Sequence, residues 1–254
     1  MFNHHNFINN NDIGLFKYYD KLIHIPNYIK NQDFYKSIFQ IKDIDIAPYV
    51  WHNNLIDDYM RENNYSLFYD HTVNISVTKH ILICEPNLQL TKTCLVPLLI
   101  CNELYKTGFT NIKILCLCKP KYLDNLLKLT NHLDIFKNNL VSFFDRLQYL
   151  SVVKDLKQKN IDFCLLSHQK DNPLNFLHLE TLYLQYGLVH NTPNYSKAGY
   201  YYDTITDAVK QLKYCLENHS ENIKQYNYET RKILDKFSPY NKKNQEIYYK
   251  YLIL

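Results

Sequence analysis

Residues able to hold an anion recur in this chain wherever a short apolar run ends. Glu85-Pro86-Asn87 closes one run, with Lys92 just beyond it, and Asp145-Arg146 closes another. The run Phe163-Cys164-Leu165-Leu166 passes into Ser167-His168-Gln169, with Asn172, Asn175 and Glu180 after it. A further run, 187–189, ends in His190-Asn191. Strand ends carrying such groups beside a helix N-terminus suit a diphosphate, because unpaired N–H groups and the helix dipole add to side-chain charge. Lys92 and Arg146 are the cations that would neutralise it. Each group also has an ordinary use. Lys92 and Arg146 read equally as surface charges, and His168 and His190 as satisfied strand-end residues. Asn172 reads as a helix cap, Asn87, Asn175 and Asn191 as turn residues, and Glu85 as a loop residue bonded to backbone.

These groups converge only if the elements behind them form one sheet. Strands are expected at 20–26 and 44–50, with helices at 27–40 and 51–62, and 63–79 reads as a linker. A regular alternation follows. Strands at 80–84, 111–118, 140–144, near 161 and at 187–189 alternate with helices at 91–106, 121–136, 146–157 and from Asn172 onward. The tail reads as helices at 204–218, 220–237 and 242–251. Alternating strands and helices imply a parallel sheet covered on both faces, with its ligand beyond the carboxyl ends of the strands. The expected fold class is therefore α/β, a Rossmann-like parallel sheet flanked by helices.

Composition excludes several other classes. The 254 residues carry 29 Lys and Arg against 25 Asp and Glu, a net charge of +4 with no long basic run, so no nucleic-acid partner is expected. The seven cysteines, at 84, 94, 101, 116, 118, 164 and 215, form no Cys-x-x-Cys pair. They read as buried free thiols of a reducing compartment, so neither a metal nor another cofactor is expected. No apolar run reaches the about 20 residues that span a bilayer, and residues 1–11 lack a signal-peptide core, so no transmembrane segment and a cytoplasmic location are expected. With only four glycines there is no P-loop, and no Gly-x-Ser-x-Gly elbow or Asp-x-Asp motif occurs. No catalytic nucleophile is identified.

The spacing from Asn172 to Glu180 resembles the carboxylate-bearing helix of retaining GT-B glycosyltransferases, whose motif has a Glu at each end. A wider resemblance is to a glycosyltransferase-like family of large DNA viruses and bacteria. It lies in Glu85-Pro86-Asn87, Lys92-Thr93, Pro97-Leu98-Leu99, Ser167-His168-Gln169, Asn172, Leu174-Asn175, Leu188-Val189-His190-Asn191 and Gly199-Tyr200-Tyr201-Tyr202, and covers 19–251. Asn172 replaces the first motif carboxylate, and Gly187 stands where that family carries Pro.

The resemblance implies a donor domain of GT-B type over 71–218, a partial acceptor-side segment over 1–70, and C-terminal helices over 219–254 that pack back on that segment. It implies a nucleotide-sugar donor, with Glu180 accepting from ribose hydroxyls, unless Glu180 is only a solvated helix residue. Asn172, Asn175, His168, His190 and Asn191 would meet sugar or phosphate oxygens. The tyrosines at 200–202 would stack on the ligand or close a core edge. The acceptor, whether glycan, protein or small molecule, is left open. About 70 residues before the regular sheet are too few for an acceptor domain of about 100–150 residues. That shortage motivates two alternatives: a partner chain that supplies the acceptor domain, or a non-catalytic nucleotide- or glycan-binding scaffold. If the protein is viral, its location would be the host cytoplasm.

Overall fold

A computed structural model describes residues 21–71, 77–85, 92–118, 123–145, 147–170, 172 and 174–252. In chain order the elements are β1 (Leu22–His24), a 3-10 turn (Pro26–Asn31), α1 (Gln32–Phe39), β2 (Ile44–Ile46), α2 (Asn54–Glu62) and β3 (Lys79–Ile83). Then come α3 (Leu95–Lys106), β4 (Ile112–Leu117), α4 (Leu123–Thr130), α5 (Asp134–Lys137), β5 (Val141–Phe144), α6 (Tyr149–Gln158) and β6 (Phe163–Leu166). The last are α7 (Phe176–Tyr183), β7 (Gly187–His190), a 3-10 turn (Pro193–Tyr195), β8 (Tyr200–Tyr201), α8 (Ile205–Phe237) and α9 (Lys242–Leu252).

The chain divides into two compact units, residues 1–50 with 237–254, and residues 51–236. These divisions differ from the 70/71 and 218/219 boundaries expected from the sequence. In the first unit β1 and β2 pair in parallel, with Ile23 opposite Asp45. The Tyr248 and Tyr251 hydroxyls of α9 donate to the carbonyls of Pro48 at 2.9 Å and Ile46 at 3.2 Å.

The second unit holds a six-stranded sheet in the order β5-β4-β3-β6-β7-β8, with every pair parallel. Its central strands are continuous apolar runs because helices cover both faces. Ile81, Leu82 and Ile83 of β3 and Leu165 and Leu166 of β6 are fully buried. Counted within the sheet, the order is the doubly wound 3-2-1-4-5-6. The chain winds outward from β3 through β4 to β5, then crosses back to place β6 on β3's other side. Loops leaving β3 and β6 therefore diverge and leave a crevice between their carboxyl ends.

Several boundaries differ from the sequence reading for identifiable reasons. Asn175, not Asn172, is the N-cap of α7, its side chain accepting from the Leu177 N–H at 3.2 Å. The stretch expected to be one helix at 121–136 is α4 and α5. The stretch read as a linker is packed over 63–71: Leu67 is buried and the Tyr69 N–H donates to Leu184 O at 2.9 Å. Tyr200 and Tyr201 supply a sixth strand, β8, at the sheet edge, and Tyr202 is buried behind it with its hydroxyl on Ser167 O. All seven cysteines are free, and six are buried. Among the described residues no helix is long and apolar enough to cross a membrane.

Candidate functional site

A cleft of about 380 Å³ opens at the carboxyl edge of the sheet. It is lined by Cys84 and Glu85 after β3, Lys92 before α3, Gln148 and Tyr149 at the start of α6, Gln169 after β6, and Asn175 before α7, among others. Its place beside the β3–β6 crevice follows from the strand order, and its size lies within the range of about 300–1,000 Å³ usual for small-molecule sites.

Glu85 and Gln169 organise the floor. The Ser167 hydroxyl donates to Glu85 Oε1 at 2.5 Å, tying the end of β6 to the end of β3. The Gln169 side-chain amide donates to Ser167 Oγ at 3.4 Å, and Asn172 donates to Gln169 Oε1. Asn191 fixes the same loop from β7. Its Oδ1 accepts from the Gln169 N–H at 2.9 Å, and its amide donates to Gln169 O at 3.0 Å. Lys92 makes an antiparallel bridge to Gln169, which brings its side chain to the cleft.

Electrostatics set these groups apart. Glu85 is 1% exposed. Burial pushes its carboxyl up to about 7, only partly offset by the Ser167 hydrogen bond, the Lys92 charge, the Gln169 side chain and the His168 backbone N–H. Its Oε2 is buried without a hydrogen-bond partner. Glu180 sits part-buried on α7, within electrostatic reach of Cys84 and Tyr149, and burial raises its pKa. Among the described residues no hydrogen bond or ion pair engages the ammonium of Lys92. The helix α6 has no side-chain cap at its N-terminus, so its first N–H groups are available beside the cleft.

The expected site residues thus fall into groups. Glu85, Lys92 and Asn175 line the cleft, and Glu180 stands near its Cys84–Tyr149 wall. Asn172 and Asn191 are spent on Gln169, so they hold the loop. His168 turns to the other side, where its Nδ1 meets the Tyr202 hydroxyl at 3.1 Å and burial lowers its pKa. His190 is corrected to a structural role. It is fully buried, with Nε2 against Ala198 O at 2.8 Å and Nδ1 accepting from the Thr192 N–H at 3.1 Å. Both ring nitrogens are therefore used, which leaves neither for a ligand. Asn87 and Arg146 lie outside the described residues.

Sequence reasoning passed over Ser167, Gln169 and Tyr149 as individual ligands. The signal that finds the first two is strand periodicity: positions 167 and 169 share one side and His168 takes the other. The neutral Ser167 and Gln169, not the titratable His168 ring, face the cleft's carboxyl.

The structure resembles solved glycosyltransferases. WaaG, a glycosyltransferase involved in lipopolysaccharide biosynthesis, matches with a TM-score of 0.55 and 13% identity, over 89% of this chain and 62% of WaaG. TarM matches with a TM-score of 0.58 and 13% identity, over 98% of this chain and 45% of TarM. The α,α-trehalose 6-phosphate synthase of Burkholderia multivorans matches with a TM-score of 0.59 and 8% identity, over 95% of this chain and 61% of the synthase. At these identities the likeness establishes the fold, which is that of GT-B glycosyltransferases, and this chain spans less than two thirds of each of the three. No curated protein matches the sequence significantly. The sequence pattern of the family described as "Protein of unknown function (DUF2827)" matches residues 1–252.

Proposed function

The chain belongs to the DUF2827 family, and we propose that it uses its GT-B fold to transfer a sugar from a nucleotide-sugar donor to an acceptor. One observation carries this reading. The segments after β3, β5 and β6 bring a cation, a buried carboxyl and an uncapped helix N-terminus to one cleft of ligand size. A donor's diphosphate would lie against Lys92 and the first turn of α6, where fixed positive charge stabilises the leaving nucleoside diphosphate. Glu180 would take the ribose diol, because an ionised carboxylate accepts two hydrogen bonds and donates none. Asn175, already capping α7, has its amide N–H groups left for a sugar oxygen.

Calorimetric titration with UDP, GDP, ADP, CDP and dTDP tests the donor site. At least one should bind, and Glu180→Ala should weaken it about ten-fold, the loss of one hydrogen-bonded charged contact worth about 1.5 kcal/mol. No heat with any of the five sinks the reading.

One observation favours a binding-only alternative. Asn172, where the related enzymes carry a carboxylate, is engaged by Gln169. Release of nucleoside diphosphate from a nucleotide sugar by the purified chain eliminates that alternative.

A further inference from the structure

Among the described residues, no hydrogen bond reaches one of the two Glu85 carboxyl oxygens. Its Oε1 accepts the Ser167 hydroxyl at 2.5 Å, while Oε2 is buried without a partner in a residue that lines the cleft beside Lys92. A bare ionised oxygen buried in this way is costly, whereas a carboxylic O–H there is a donor awaiting an acceptor. Because Oε1 already accepts, the proton belongs on Oε2. The ligand placed against Lys92 is an anion, and an ionised Glu85 beside it would repel it.

We propose that Glu85 is held as a neutral carboxylic acid and donates its Oε2 proton in a hydrogen bond to a phosphate oxygen of the bound diphosphate, so that donor binding takes up a proton near neutral pH. This rests on the cleft being the diphosphate site. The proton comes from solvent, stays on Glu85 and returns when the ligand leaves. Lys92, the Ser167 hydroxyl, the Gln169 side chain and the His168 backbone N–H all favour the ionised form, yet burial outweighs them. Lys92 opposes protonation, but its charge is spent on the ligand once the ligand binds. The Tyr202 hydroxyl is engaged with Ser167 O at 3.0 Å, and the neutral His168 ring bonds Tyr202. Cys84 is a thiol, burial keeping it protonated, and Glu180 adds a carboxylate whose own pKa is raised. Burial, net of these opposing groups, already places the free Glu85 near half-protonation at neutral pH.

The probes are UDP-glucose, GDP-mannose and ADP-glucose, whose diphosphate diesters do not ionise near neutral pH. The expected result is that affinity falls about ten-fold from pH 6 to pH 8, the change in the protonated fraction of a group titrating near 7. At pH 7.5 the binding heat should differ between PIPES and imidazole in the sense of proton uptake, which needs no variant. Glu85→Gln, which keeps an N–H donor but does not titrate, should flatten the pH profile. Glu85→Ala, with no donor, should bind more weakly than Glu85→Gln at every pH. Affinity that is constant or rises with pH overturns the proposal while leaving the donor site intact. So does an unchanged profile in Glu85→Gln, which would assign the proton to His168 or Glu180. No binding of any probe at any pH overturns both this and the proposed function.

Discussion

Replacing Lys92 with Ala should weaken nucleoside diphosphate binding about 100-fold, while Lys210→Ala, on the exposed face of α8, leaves it unchanged. The figure follows from the charge-assisted hydrogen bonds that one ammonium gives a diphosphate, worth about 1.5–3 kcal/mol at 1.4 kcal/mol per ten-fold. Lys92 is brought to the cleft by its bridge to Gln169, whose own position is fixed by Asn172 and Asn191. Titration calorimetry reads the loss directly. The variant should also show a shallower dependence on salt, since one fewer cation is neutralised on binding. Equal losses at Lys92 and Lys210 would mean that only net charge matters and that no built site exists.

The second large effect is on folding. Gly199→Ala should destabilise the protein by about 2–4 kcal/mol, lowering Tm by about 5–15 °C, whereas Gly108→Ala should cost only about 1–2 kcal/mol. Both glycines have left-handed backbones, with φ of +71° and +90°. Around Gly108, after α3, an added Cβ meets nothing within 4 Å. At Gly199 it would stand 2.9 Å from the Leu188 carbonyl oxygen and 3.0 Å from the His190 ring. The carbonyl belongs to β7 and does not swing aside, and the His190 ring is pinned at both nitrogens. Thermal melts of the two variants separate backbone strain from crowding. Equal shifts would show that the close approach over β7 carries no energy.

The alternation of strands and helices was legible in the chain because most sheet strands hold a short apolar run, such as Ile81–Ile83 and Phe163–Leu166, that passes into polar loop residues. What sequence could not supply was tertiary compensation. The helix at 205–237 reads as two helices because Asn218-His219-Ser220 are poor helix formers. It stays continuous because the His219 and Ser220 side chains bond outward, while Asn218 donates to the Tyr214 carbonyl of its own helix. His219 reaches Gln185 O and the Tyr200 hydroxyl, each at 2.9 Å, and Ser220 Oγ meets the Tyr69 hydroxyl at 2.6 Å. The strand β8 has two residues, too few to show a period. At the α7 start, two asparagines flank Pro173, and local pattern gives either as the cap. The choice is made by Gln169, which takes Asn172 and leaves Asn175 to cap. Likewise the two histidines at strand ends look alike in sequence. One is sealed in by the turn at 193–195 and the 198–199 crossing, and the other faces Tyr202.

The most direct test of the account is a crystal structure of the protein with a nucleotide sugar bound. It predicts the diphosphate against Lys92 and Glu85, between the carboxyl ends of β3 and β6, with the ribose toward Glu180. A ligand seated elsewhere on the molecule, or a diphosphate that leaves Lys92 and Glu85 untouched, would contradict it.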